Sequence, residues 1–78
     1  MEIQVEYFAV LREHVGRSGE TCRTEARTVG DLYRELDARH GFPSVGRLKV
    51  AVNDEFRPWE TPLADGDRIV FIPPVAGG

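Results

Sequence analysis

The chain of 78 residues carries 13 acidic and 10 basic side chains, a formal net charge of −3, a single cysteine and 41% hydrophobic residues. That length holds one domain with a small core, the lone Cys22 excludes an internal disulfide, and no apolar run nears the roughly 20 residues that span a bilayer. The basic residues, nine Arg and Lys49, are scattered along the chain, which disfavours nucleic-acid recognition by a charged surface, and the expected location is the cytoplasm.

The chain opens on strand alternation with no cationic segment or apolar run of a signal peptide. Ile3, Val5 and Tyr7 alternate with Gln4, Glu6 and Phe8, so one face of this first strand is buried and Phe8 falls on the other. Val10, Leu11 and Val15, with polar residues between them and Gly16 after them, predict one or two helical turns over 9–15. The Gly16-Arg17-Ser18-Gly19 turn leads into a short strand over about 20–26. Thr28 sets a hydroxyl three residues before Asp31, a variant of the capping box, and Val29, Leu32, Tyr33 and Leu36 then form one apolar stripe. Gly41 before Phe42-Pro43 ends this main helix, with Arg34, Glu35, Asp37 and Arg39 facing water.

Leu48, Val50 and Val52 predict another strand that stops at Asn53-Asp54, and Phe56 and Trp59 follow in irregular chain. The Asp65-Gly66-Asp67 turn feeds a last strand, Arg68 to Ile72, apolar on both faces. Pro73-Pro74 removes two backbone donors and stops it, so residues 73–78 leave the sheet as an extended arm behind a 1–72 domain. This element order describes an α+β domain with one main helix across a mixed sheet, and the β-grasp is its natural topology. There the first and last strands lie side by side, and Phe8, Val70, Ile72 and Phe56 share the uncovered face as an exposed apolar patch beside the root of the tail. Such a patch has the character of a protein-binding surface.

Glycine has no Cβ, so the Gly77-Gly78 end fits a channel too narrow for other residues. Six extended residues from Pro73 span at most about 20 Å, enough to reach from a docked domain into a buried site. The α-carboxylate of Gly78 is ionised at neutral pH and is a poor electrophile, so acyl chemistry requires activation, most simply as an acyl-adenylate made by an ATP-using partner. The adenylate then accepts either sulfur, giving a thiocarboxylate, or a lysine amine, giving an isopeptide.

Other residues carry less. Cys22 reads as a small buried hydrophobe, His14 and His40 as solvated helix residues without ligand spacing for a metal, and Asp31 and Glu35 as surface charges. Asp65-Gly66-Asp67 lacks the remaining oxygens of a calcium loop. The chain contains no Ser-His-Asp or Cys-His arrangement and no phosphate-binding glycine loop.

Val5-Glu6-Tyr7-Phe8-Ala9 with Leu11-Arg12-Glu13, Val50-Ala51-Val52-Asn53, Pro62-Leu63 with Asp65-Gly66-Asp67, and the closing Phe71-Ile72-Pro73-Pro74-Val75-Ala76-Gly77-Gly78 together resemble the MoaD family, the small subunits of molybdopterin synthase, over the whole chain. The resemblance implies that an E1-like, MoeB-like enzyme adenylates Gly78 using ATP and that a sulfurtransferase supplies sulfur for the thiocarboxylate. It implies further that the tail, Pro73, Pro74, Val75, Ala76, Gly77 and Gly78, enters a MoaE-like large subunit held by Phe8, Phe56 and Ile72, with Val70 of the same patch beside them. Two donors in succession would then convert cyclic pyranopterin monophosphate to the dithiolene of molybdopterin. No bound cofactor, metal, nucleic acid or membrane is expected, and no catalytic group of the chain's own beyond the carboxylate. Carriers of sulfur for thiamine, cysteine or tRNA thiolation, a ubiquitin-like modifier and a pure binding module are the alternatives.

Overall fold

A computed structural model describes residues 1–74 of the chain. Alternation fixes its centre. In β1 (Glu2–Tyr7) the side chains of Ile3, Val5 and Tyr7 point to one side and are at most 2% exposed, while those of Glu2, Gln4 and Glu6 point to the other. In β5 (Arg68–Ile72) Ile69 and Phe71 are fully buried on the same side as Ile3 and Tyr7. The two strands run parallel, with Val5 opposite Ile69 and Tyr7 opposite Phe71. Antiparallel pairing adds β2 (Gly19–Arg23) outside β1, and β3 (Lys49–Val52) and then β4 (Glu55–Phe56) outside β5. Among the described residues this makes one five-stranded sheet in the order β2-β1-β5-β3-β4.

Two helices complete the chain, α1 (Ala9–Val15) and α2 (Val29–His40). The stripe read from the sequence is the buried side of α2: Val29, Leu32 and Leu36 have no exposure and pack into the same core as Ile3, Ile69 and Phe71. Its first turn leaves orphan backbone donors. Thr28 Oγ1 accepts from the Asp31 N–H at 3.1 Å, and the carbonyls of Thr61 and Trp59 accept from Val29 and Gly30 at 3.0 and 2.9 Å. Segment 59–61 therefore caps α2 and also carries Trp59, whose ring stacks on Phe71 at 6.1 Å and meets Tyr33 edge-on at 5.5 Å. At the other end Gly41 takes φ 62°, a left-handed conformation that glycine adopts without cost, and its N–H caps the Asp37 carbonyl.

Several elements differ from their sequence expectations. β2 starts one residue earlier than expected and ends at Arg23, opposite Glu2, the first residue of β1; beyond it Thr24 gives its hydroxyl proton to Glu35 Oε1 at 2.9 Å and accepts from the Ala26 N–H. Phe56 is not in irregular chain but in β4: Asn53 and Asp54 both have positive φ, 51° and 71°, and form a two-residue loop that returns the chain onto β3. A strand of two residues is too short for alternation to reveal. Glu35 is only partly a surface charge, since Thr24 binds one of its oxygens while the other is buried without a hydrogen-bond partner. His40 is not solvated: its side chain is 21% exposed and its Nε2 lies 2.8 Å from Glu20 Oε2.

Candidate functional site

Helix α2 covers one face of the sheet, and the other face carries the residues singled out for partner binding. The register places Glu6, Val70, Ala51 and Phe56 in one row across β1, β5, β3 and β4. Nearer the end of β5, Ile72 stands opposite Lys49, and Phe8 follows Tyr7, the partner of Phe71. Phe8 is 48% exposed and Phe56 65%, whereas Ile72 is half-buried. Val70 departs from expectation. It lies on the expected face yet is only 6% exposed, because on the central strand it is walled by Glu6 and Ala51 at its sides and by Arg68 and Ile72 along the strand. The exposed apolar surface is thus two aromatic rings with Ile72 between β1 and β3, and Val70 forms the floor.

Local sequence choices set these rings out. Phe8 occupies the N-cap position of α1 and supplies no side-chain cap, where Ser, Asp or Asn would have bonded a free N–H. Ala9 then adopts φ 52°, uncommon for a residue with a Cβ.

At the far end of the face Arg68 is clamped. Its Nε and Nη2 donate to the two Glu6 carboxylate oxygens at 2.9 and 3.1 Å, and its Nη1 donates to Asp54. Asn53 Oδ1 accepts from the Arg68 N–H at 3.0 Å, and the Asn53 N–H donates to the Arg68 carbonyl. The hairpin carrying Phe56 is thereby tied to β5. Sequence reading missed this clamp, since it depends on β1 and β5 being neighbours, and its only linear trace is that Glu6 and Arg68 both occupy outward positions. It missed Lys49 as well, whose ammonium lies 5.5 Å from the centroid of the Phe56 ring.

Strand β5 ends at Ile72; Pro73 is buried and Pro74 exposed. The remaining tail positions, Val75, Ala76, Gly77 and Gly78, lie outside the described residues. Pro74 is therefore the last described residue before the C-terminal Gly77-Gly78, and it follows a strand held on both sides.

The inner side of the sheet holds a second polar cluster. Tyr7 Oη donates to Glu20 Oε2 at 2.5 Å, the same oxygen that His40 Nε2 approaches, and Arg39 lies 3.7 Å from Oε1. Burial pushes the Glu20 carboxyl up, but the hydrogen bonds from Tyr7 and His40 and the positive charges around it outweigh that and hold it below the ordinary range. Burial, followed by the bond to Glu20, raises the Tyr7 phenol far above its usual value. Cys22 is 1% exposed, and burial raises its thiol, so it sits in the core as a small hydrophobe. Among the described residues no group of three or more His, Cys, Asp or Glu side chains is placed to hold a metal, and no helix is long and apolar enough to cross a membrane.

A mixed sheet with its first and last strands parallel at the centre, crossed on one face by a single long helix, is the ubiquitin-like β-grasp. The ThiS family model matches residues 5–78, and the chain belongs to that family. It is similar to the molybdopterin synthase sulfur carrier subunit of Escherichia coli, 35% identical with 97% of this chain and 99% of that one aligned. It is equally similar, at 35% identity over the full length of both, to small archaeal modifier protein 3 of Haloferax volcanii. Among solved structures it resembles a chain of the complex of subunits 1 and 2 of the molybdopterin-converting factor from Helicobacter pylori, with TM-score 0.71, 28% identity and full coverage of both chains.

Proposed function

We propose that this protein is the sulfur carrier of a molybdopterin synthase. The observation that carries the reading is the placement of the exposed Phe8 and Phe56 rings on the uncovered face of the sheet, on either side of β5, the strand that leads in sequence through Pro73 and Pro74 to Gly77 and Gly78. The names of its full-length relatives support it. The Gly78 carboxylate attacks the α-phosphorus of ATP in a MoeB-like enzyme, pyrophosphate leaves, and the acyl-adenylate forms. The terminal sulfur of a sulfurtransferase persulfide attacks the acyl carbon, AMP leaves, and a thiol reductant cleaves the resulting acyl disulfide to release the thiocarboxylate. The outer face then docks on a MoaE-like large subunit, the tail enters its active site, and the sulfur passes to cyclic pyranopterin monophosphate, with two carriers completing the dithiolene. The chain supplies affinity, reach and the acyl end, while the partners supply the catalytic groups and ATP.

Intact mass after incubation with the adenylating enzyme, ATP and a sulfur source tests the first half. Replacement of one carboxylate oxygen by sulfur adds about 16 Da, and a chain lacking Gly78 gains nothing. No gain in the presence of an active adenylating enzyme overturns the carrier reading. A second reading, a protein modifier joined to lysine amines, is favoured by the name of the archaeal relative. It predicts amide conjugates of this chain in cell extracts that survive thiol and hydroxylamine treatment.

A further inference from the structure

The outer face is electrostatically uneven. Two of the cations near Phe56 are paired inside the molecule: Arg57 with Glu55 at 2.6 Å, and Arg68 with Glu6 and Asp54. Lys49, the only lysine in the chain, is exposed on β3, and among the described residues no carboxylate lies within ion-pairing distance of its amine. Its ammonium instead lies over the Phe56 ring, and its backbone is paired with Ile72, the last residue before Pro73. A cleft of about 310 Å³ opens beside it, lined in part by Leu48, Lys49, Phe56 and Trp59.

We infer that Lys49 is a specificity-determining residue of the docking face, and that the large subunit seats the Phe56 ring in an apolar site with a carboxylate beside it to receive the Lys49 ammonium. The inference rests on the carrier reading above. Its physical basis is that Phe56 and Lys49 act as one unit. A cation held over a ring is drawn into any interface that buries the ring, and an ammonium stripped of water there must find an anion or be expelled. Arg57 and Arg68, the other cations beside Phe56, already have theirs, so next to that ring a partner gains charge complementarity at Lys49. The pairing has a second consequence: Phe56 lies on a two-residue edge strand, and the cation above it biases the ring toward one orientation before docking.

The test measures binding to the large subunit of the same organism for the wild type, Lys49→Arg, Lys49→Met and Lys49→Glu, with thiocarboxylate formation recorded on each chain. Lys49→Glu is expected to weaken binding by about a hundredfold or more and Lys49→Met by about tenfold, while Lys49→Arg stays within a few-fold of wild type. The wild-type affinity should fall as salt rises, with a shallower slope for Lys49→Met. Urea midpoints should be the same for all four chains, since Lys49 is exposed. Equal binding by Lys49→Glu and wild type overturns the inference, as does a wild-type chain that gains sulfur normally yet does not bind the large subunit. Failure of the wild type to gain sulfur counts instead against the carrier reading. If Lys49→Glu loses adenylation while keeping full affinity for the large subunit, the residue serves the activating enzyme and the inference is wrong.

Discussion

Replacing Tyr7 by Phe isolates the inner polar cluster, because it deletes one oxygen and keeps the ring that contacts Phe42, His40 and Phe71. The lost bond is charge-assisted, 2.5 Å long, and its acceptor side chain is only 12% exposed. Hydrogen bonds to charged groups contribute about 1.5–3 kcal/mol, and since His40 and Arg39 still face Glu20 the lower half of that range applies, near 2 kcal/mol. For a domain of this size that lowers the melting temperature by roughly 8–16 °C at pH 7.

The dependence on pH separates this cause from a packing defect. Glu20 is held below its ordinary value in the fold, so its contribution is complete above that value and lost as pH falls through about 4 and below. Tyr7 is held above its ordinary value, so its contribution is complete in the neutral range and fades as pH rises past about 10, where the unfolded chain begins to ionise. Tyr7→Phe should flatten both limbs of the stability profile. Tyr33, also raised by burial, maintains part of the alkaline limb. Urea denaturation from pH 3 to 11 on both proteins is the assay. A variant as stable as wild type at pH 7, or one uniformly weaker with unchanged limbs, would refute the reasoning.

Phe56→Ala removes a ring that is 65% exposed, so the urea midpoint should barely move while affinity for the large subunit falls by about 2 kcal/mol or more, measured by calorimetry. Gly19→Ala places a Cβ 2.6 Å from the Val5 carbonyl oxygen in the β1–β2 pair, and a loss of about 1–3 kcal/mol is expected; a neutral outcome would mean that the strand shifts freely. Thr28→Ala leaves the Asp31 N–H without its acceptor and should cost about 1 kcal/mol in chemical denaturation.

Periodicity made most of this fold legible in advance. The core faces of β1 and α2, the Thr28 cap, the Gly41 stop and the last strand all follow from residue spacing, and the order of elements was enough for the topology. The errors arose where structure depends on neighbours distant in sequence. His40 reads as a helix-surface residue until α2 is laid over β2 and Glu20 comes beneath it. Val70 reads as exposed until both flanking strands are present. At the candidate site Phe8 and Phe56 were legible as apolar residues out of place, whereas the Lys49 contact was not, because it requires the hairpin that brings β4 beside β3.

Among the described residues the strand at the centre of the sheet is also the last element in chain order. Until residues 68–72 arrive, β1 has no neighbour on one side and β3 has only the two residues of β4. The two halves of the sheet therefore stay apart during synthesis, and closure must join segments more than sixty residues apart, the kind of distant pairing that slows folding. Any chain cut short before β5 loses both its core and the route to its carboxyl end. Synthesis is thus its own quality filter: a chain that carries the Gly77-Gly78 end also contains the strand that joins the two halves of the sheet.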